Sequence, residues 1–532
     1  MSVSWEKRAW GEVLAEHAAQ RPHAEAFVCA GVRLDWAELH GRARRAAAGL
    51  QALGIGRGDH VAVCMGNSAE WLTLFYANAL LGAVTVPVNT RFKADELRYC
   101  LAQSNAKLLA LAGRFLKIDF LAMLRTICPA VDAGLPDPAL PRLRRVVVLG
   151  DDVPAGALPW SLLEEDRAPR LSPVDPDATA LIQYTSGTTA MPKGVMLSHE
   201  NMYRNASAVA ARIGIRADDR YFSARPFYHV AGTTLSILAA LSRGACLLTT
   251  PSFDAEESLR IMSEERCTLT SGNDTMFLMM MNHPRFAEYR LSLRGGWAAA
   301  GIEVMDQIRR RMGMREIVYC YGLSEASPNV VCSDRNDPWE ERAAGLARPH
   351  EGMELRIVDE ATSRALPSGE AGEIQVRGWS VMHGYYAKPE ETRRALEPDG
   401  WLHTGDVGVL DAAGRLRFLG RAKDIFRVGG ENVAPAEVEE VLHRHPAVKQ
   451  AQVIGVPDPR LGEVAAAYVM LVEGAAATPE ELVAWCRERC AGFKVPRYLR
   501  VVDSFEGIGM TGSAKVQKHR LREQALREFG LG

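Results

Sequence analysis

Residues 184–195 read YTSGTTAMPKGV, a run that could handle phosphate. Thr185, Ser186, Thr188 and Thr189 supply hydroxyl donors, Gly187 allows close backbone approach to a ligand, and Lys193 adds a compact positive charge. Serial N–H and hydroxyl donors of this kind can cradle phosphate oxygens. The run is not a Walker A loop, which needs Gly immediately before its Lys and Ser or Thr after it; here Pro192 and Gly194 flank Lys193. P-loop kinases and NTPases are therefore disfavoured. Taken alone, a solvated Ser/Thr/Gly turn is an equal reading.

The elements that would position this loop follow from the apolar pattern. ATALIQ at 178–183 reads as a buried strand leading into it. Upstream, 36–53 has helical periodicity and stops at Gly54, 60–67 (HVAVCMGN) reads as a buried strand, 68–81 as a helix and 83–89 (AVTVPVN) as the next strand. Strand, helix, strand with short turns is the sequence form of a parallel α/β unit. The pattern recurs at 144–150 and 212–226, with loop-and-helix connections at 249–260 and 283–293. Near residue 405 the texture changes to short strands and Gly turns. A helix then begins at Pro435, followed by a strand at 450–456, a helix at 479–490 and a charged helix at 515–529. This reads as a separate α+β domain of about 110 residues, with a boundary at GRAKD, 420–424.

Composition bounds the answer. A chain of 532 residues is too long for one core. Lys plus Arg (63) against Asp plus Glu (65) leaves a formal charge of −2, which supplies no broad cationic field and argues against nucleic acid as a main partner. No apolar run approaches the ~20 residues of a membrane span, and the charged start lacks a signal-peptide core, so a cytoplasmic protein is expected. The ten cysteines show no CxxC pair or zinc spacing, and Cys486 and Cys490 are expected to share a helix face as reduced thiols.

Five further segments accompany the loop in order: PFYHVAG (226–232), YGLSEAS (321–327), DGWLHTGD (399–406), GRAKDIFRVGGENVAPAEVE (420–439) and MTGSAKVQKHRLRE (510–523). Together with 184–195 they resemble the signatures of the adenylate-forming superfamily, in its acyl-CoA synthetase branch. The resemblance implies an α/β fold in which parallel α/β subdomains and a distorted β-barrel form a large domain, 1–420. A hinge at 421–424 would follow, then a small mobile α+β lid at 425–532.

It also implies a two-step acyl transfer. A carboxylate attacks the α-phosphorus of ATP, and a thiol, that of CoA, then displaces AMP from the acyl-adenylate. The first step brings an anion to a polyanion, so charge neutralisation is the main demand. On the resemblance, Ser186, Gly187, Thr188 and Thr189 hold phosphates together with Lys193, while Thr185 and Glu325 stand near Mg²⁺. Ala300 and Ser324 line the nucleotide site, Tyr321 stacks on adenine, Asp406 accepts from the ribose hydroxyls and Arg421 assists there. Lys515, Lys193 and Glu325 are the catalytic set. Lys423 is the hinge residue, His229, Thr233 and Asn273 border the acid pocket, and Gly429 with Gly430 line the CoA tunnel. Read without their context, Asp406 is a turn aspartate, Tyr321 a core tyrosine, Lys515 a solvated charge and the Gly pair a hairpin turn.

Some positions depart from the superfamily pattern. Ala190 and Ala514 stand where Gly is usual, Ser324 where Thr is usual, and Ala300 and Ile302 where Gly and Pro are usual. Asn273 and Asp274 replace an apolar residue and Pro. A polar pair unpaired against an alkyl chain costs ~1–3 kcal/mol per group, which favours an aryl or polar-substituted acid. The other reading makes the pair a helix N-cap ahead of MFLMMM. Rival functions keep the first half-reaction: a carrier-protein thiol or an amine as acceptor, or nitrite as the activated oxyanion with an aromatic amine attacking. A scaffold without turnover is disfavoured by the presence of Lys193, Glu325, Asp406, Arg421 and Lys515 together. Oligomeric state stays open, a homodimer included.

Overall fold

In a computed structural model, residues 5–185, 192–429, 431–510 and 516–531 are described. Ser186, Gly187, Thr188, Thr189, Gly430 and Lys515 lie outside them. The chain divides into two compact units: Met1–Asp254 with Gly322–Asn329 and Gly378–Gly400, and Ala255–Tyr321 with Val330–Arg377 and Trp401–Gly532.

The first unit is built on a sheet of eight strands in the order Gly384–Tyr385, Lys193–Ser198, Thr179–Thr185, Val84–Pro87, His60–Cys64, Leu108–Ala112, Arg145–Leu149, Leu158–Pro159. From Thr179–Thr185 onward the pairings are parallel; Lys193–Ser198 pairs antiparallel on both sides. Val61, Ala62 and Val63 are wholly buried, which is why the strand reads as an unbroken apolar run rather than an alternation. The connecting helix Ala69–Leu81 is buried on nearly every face and is started by Ser68, whose Oγ accepts the Trp71 N–H at 3.1 Å. Helix Trp36–Ala52 carries a reciprocal cap: Asp35 accepts from Glu38 N at 2.7 Å and Glu38 from Asp35 N at 2.9 Å. A further group of strands, Arg220–Phe222, Cys246–Thr249, Glu25–Cys29 and Val32–Asp35, completes the unit. Within 212–226 only Arg220–Phe222 is extended, because helix His199–Ile213 runs into that segment before Gly214 ends it.

The second unit opens with parallel strands Leu269–Asn273, Gly295–Ala299 and Glu316–Gly322. Met353–Val358, Ala371–Gly378, Leu402–Leu410 and Leu416–Arg421 form a four-stranded sheet with antiparallel pairing across the last three. After a short turn at Ala422–Asp424, residues from Phe426 onward build a five-stranded sheet around a core that includes Phe426, Val438, Val453, Tyr468, Leu482 and Leu521. Its long hairpin pairs Val448–Asp458 with Gly462–Leu471. The final helix runs Lys518–Glu528 and begins later than expected, since Val516 bridges Met510. Helix Pro479–Arg487 ends before Cys490, whose Sγ donates to the Cys486 carbonyl at 3.0 Å instead of sharing a helical face. Among the described residues no helix is long and apolar enough to cross a membrane.

Candidate active site

In the first unit the strand pairing joins the two residues, Thr185 and Lys193, that flank the Ser/Thr/Gly run. Thr185 stands opposite Lys193, with the Thr185 Oγ1 3.4 Å from the Lys193 carbonyl. On the other side Val195 pairs with Tyr385. That register places the Lys193 ammonium 4.2 Å from the centroid of the Tyr385 ring, a cation–π contact. The same tyrosine donates its phenolic proton to Glu325 Oε1 at 2.9 Å. Burial, then the Glu325 charge, raises the Tyr385 pKa, so the phenol stays a donor. Lys193, Tyr385 and Glu325 thus form one connected group of cation, ring and carboxylate.

Glu325 is held through its own backbone as well. Its carbonyl accepts the Met382 N–H at 2.9 Å, and the turn Ser324–Ala326 that carries it is closed by Ser327 N donating to the Ser324 carbonyl at 3.2 Å. Gly322 begins this segment because nothing larger fits: a Cβ there would lie 1.9 Å from the Pro328 carbonyl oxygen. That oxygen also accepts the Leu323 N–H at 2.8 Å. Tyr385 uses one lone pair of a carboxylate that offers about four, so Glu325, with the Thr185 hydroxyl, retains the hard oxygen donors that suit Mg²⁺.

His229 and Thr233 follow in the same unit. His229 Nδ1 accepts the Ala231 N–H at 3.1 Å, which puts the proton of the neutral ring on Nε2. Thr233 is fully buried and opens a π-helical stretch, Thr233–Leu238, a local widening that recurs at functional sites. Its hydroxyl lies 3.5 Å from the His229 carbonyl.

The second unit carries the other group. Asp406, 4% exposed, receives the Tyr321 hydroxyl at Oδ2 at 2.7 Å and has Arg421 Nε 3.6 Å from Oδ1. Asp406 and Arg421 are direct partners across adjacent strands. Burial and the Asp406 charge push the Tyr321 pKa well up, keeping its proton on the phenol. The Tyr321 ring stacks on Phe418 with centroids 4.8 Å apart and planes at 22°. Lys423 follows in the Ala422–Asp424 turn, where burial and then Arg421 lower its pKa. Ala300 lies between strand Gly295–Ala299 and helix Ile302–Arg311. Gly429 sits in the turn between paired strands Phe426–Val428 and Glu431–Val433.

Asn273 has a local task. It is 2% exposed and its Oδ1 accepts the Met276 N–H at 2.9 Å, capping helix Asp274–Met281. Asp274 Oδ1 accepts the Thr275 N–H at 2.7 Å. The cap uses one oxygen of each side chain of this pair.

Tyr385 and Phe418 were not legible in the sequence. Tyr385 enters through a strand pairing across 190 positions, and Phe418 through the ring it meets; neither carries a local signal.

The AMP-binding enzyme family model matches residues 14–386, and the model of the AMP-binding enzyme C-terminal domain matches 437–515. The chain belongs to the AMP-binding enzyme family. It is 38% identical over 541 residues to the putative acyl-CoA synthetase YngI of Bacillus subtilis (strain 168), covering 98% of each chain. It is 35% identical over 531 residues to the mitochondrial medium-chain acyl-CoA ligase ACSF2 of Danio rerio, covering 96% of this chain and 86% of the other. A crystal structure of the anthranilate CoA ligase AuaEII in complex with anthranoyl-AMP superimposes with a TM-score of 0.88 at 25% identity, over 99% of this chain and 98% of that one. This AMP-binding enzyme therefore shares its whole length with adenylate-forming relatives, and its α/β fold with a small C-terminal domain is theirs.

Proposed function

We propose that this AMP-binding enzyme is an ATP-dependent carboxylic acid–CoA ligase that works through an acyl-adenylate and releases AMP and pyrophosphate. The observation that carries the reading is the pair of organised groups: Lys193–Tyr385–Glu325 for a polyphosphate, and Tyr321–Asp406–Arg421 for a nucleoside. Relatives with near-complete overlap are named acyl-CoA synthetases and ligases, which supports a thiol acceptor.

Mechanistically, Lys193 neutralises phosphate charge as the acid carboxylate attacks the α-phosphorus and pyrophosphate leaves. Glu325, fixed by Tyr385 and by Met382 N–H, holds its oxygens toward a cation site shared with Thr185. Bound there, Mg²⁺ would supply further neutralisation of the triphosphate. Asp406 accepts from the ribose hydroxyls while Arg421 balances its charge. Lys515 assists the adenylation step; the turn at 422–424 with Lys423 then serves as hinge between domains 1–420 and 425–532, and Gly429 and Gly430 line the path of the CoA thiol.

For the acid, a medium-chain acyl group is the first reading, on the similarity to medium-chain acyl-CoA ligases. Capping by Asn273 Oδ1 weakens the polar-pocket argument against an alkyl chain. An aryl acid is the second, favoured by the likeness to the anthranilate CoA ligase. The test is AMP release from ATP and Mg²⁺ over a panel of alkyl, aryl and amino-aryl acids, with and without CoA, and with nitrite plus an aromatic amine. CoA-dependent turnover supports the ligase and names the acid; CoA-indifferent turnover with nitrite overturns it.

A further inference from the structure

The strand that carries Asp406 is irregular at that point. Gln375 pairs with His403 and Glu373 with Val407, so the two-residue step from 373 to 375 is matched by a four-residue step from 403 to 407. Thr404, Gly405 and Asp406 therefore form a wide bulge, the kind of device that re-aims a side chain beside a site and takes N–H groups out of the ladder. Gly405 sits in the left-handed region at φ 65°, open to glycine without strain.

Two of the displaced N–H groups, those of Gly405 and Asp406, find side-chain acceptors. Thr404 Oγ1 donates to the Ile374 carbonyl at 2.6 Å and accepts the Asp406 N–H at 3.1 Å. Gly405 N–H donates to Glu373 Oε1 at 3.1 Å. The second oxygen, Oε2, lies 2.9 Å from His403 Nδ1. One carboxylate thus spans the bulge, touching the residue that enters it and the residue at its apex. Its support is fixed in turn: Arg356 Nε donates to Gln375 Oε1 at 2.7 Å, which turns the Gln375 amide nitrogen toward Glu373 Oε2 at 3.4 Å, while the proton on His403 Nδ1 goes to the same carboxylate oxygen. Glu373 is only 13% exposed, so these bonds are shielded from competing water.

We propose that Glu373 is a positioning residue for the nucleoside site: by holding Gly405 N–H and His403 across the bulge, it sets the direction of the Asp406 carboxylate. The proposal rests on Asp406 accepting from the ribose hydroxyls. Without Glu373, the Gly405 N–H loses its acceptor, the bulge has more than one arrangement, and the carboxylate no longer presents one geometry to the two hydroxyls. Glu373→Gln keeps an oxygen for Gly405, and its amide can donate to His403 in the other ring tautomer.

The experiment compares KM and kcat for ATP and for 2′,3′-dideoxyATP in the full-length enzyme and in Glu373→Ala and Glu373→Gln, with melting curves for each. In the wild type, ATP is expected to be preferred over the dideoxy analogue by about 100-fold in kcat/KM. Glu373→Ala should raise KM for ATP about 10-fold, change kcat less than about 3-fold, and shrink the ATP preference about 10-fold, with KM for the acid and CoA unmoved. Glu373→Gln should recover most of the preference, which keeps the test open if the Ala variant does not fold. Full ATP preference in a folded Ala variant, or loss of preference equal in Ala and Gln, overturns the positioning role alone. A wild type that does not distinguish the two nucleotides overturns the ribose reading of Asp406, and this proposal with it.

Discussion

Tyr385 donates to Glu325 across 60 positions of sequence, and the ring that makes this bond also lies under the Lys193 ammonium. The two functions of one side chain can be separated. Tyr385→Phe keeps the ring and removes only the donor; AMP formation should fall about 10-fold with the melting temperature nearly unchanged. Tyr385→Ala should lose more, because the contact to Lys193 goes as well. Rates of pyrophosphate release for the two variants check this, and an unaffected Phe variant would mean that the Met382 N–H bond alone holds Glu325.

The lysine of the 510–523 signature lends itself to a half-reaction test. Lys515→Ala should cut AMP formation from acid and ATP by at least about 100-fold, while thioester formation from preformed acyl-adenylate and CoA is spared. Equal losses in both halves would remove Lys515 from its adenylation role.

His199 makes an acid-stability prediction. It is wholly buried, its ring tilted at 45° to that of Trp10 with centroids 4.1 Å apart, and neither ring nitrogen has a hydrogen-bond partner among the described residues. Burial lowers its pKa to about 3 from an ordinary 6.5. As pH falls, the unfolded chain takes up this proton first, so stability is full above about 6.5 and declines by about 1.4 kcal/mol per pH unit down toward the folded value. His199→Phe should flatten this part of the profile. Urea midpoints measured from about pH 7 to about pH 5 decide it; parallel slopes for wild type and variant would refute it.

Asn273 separates capping from recognition. Asn273→Ala should cost about 1 kcal/mol of stability by exposing the Met276 N–H, Asn273→Asp should cost little, and neither should reorder the acids the enzyme accepts. A changed order of acids, read from the same panel that tests the ligase, would place this residue at the bound acid.

What could be read from the sequence were features written in neighbouring residues. The His60–Cys64 strand announces itself because a parallel strand buried on both faces needs an unbroken apolar run. The Asn273 cap lies directly before the helix it serves. Asp406 and Arg421 sit in one hairpin, so their signatures already imply proximity. Tyr385 has no such advantage. Its partners depend on the register of Val195 with Tyr385 and on a turn at 324–326, and neither is encoded near residue 385. Glu373 escapes notice for a similar reason: its importance arises from a mismatch between two strands, which no single strand displays. The cysteine pair shows the reverse failure, where a local spacing suggested a shared helical face and the helix stopped too soon.

Gly322 has a genetic meaning. Any codon change that alters the amino acid there introduces a carbon where the Pro328 carbonyl oxygen stands 1.9 Å away, and that oxygen belongs to the main chain, so it cannot rotate aside. A saturation library at this position, selected for acid activation, should therefore return glycine alone, while the adjoining codon for Leu323 tolerates variation. The turn that presents Glu325 is guarded against mutational drift by a residue that takes no part in the chemistry.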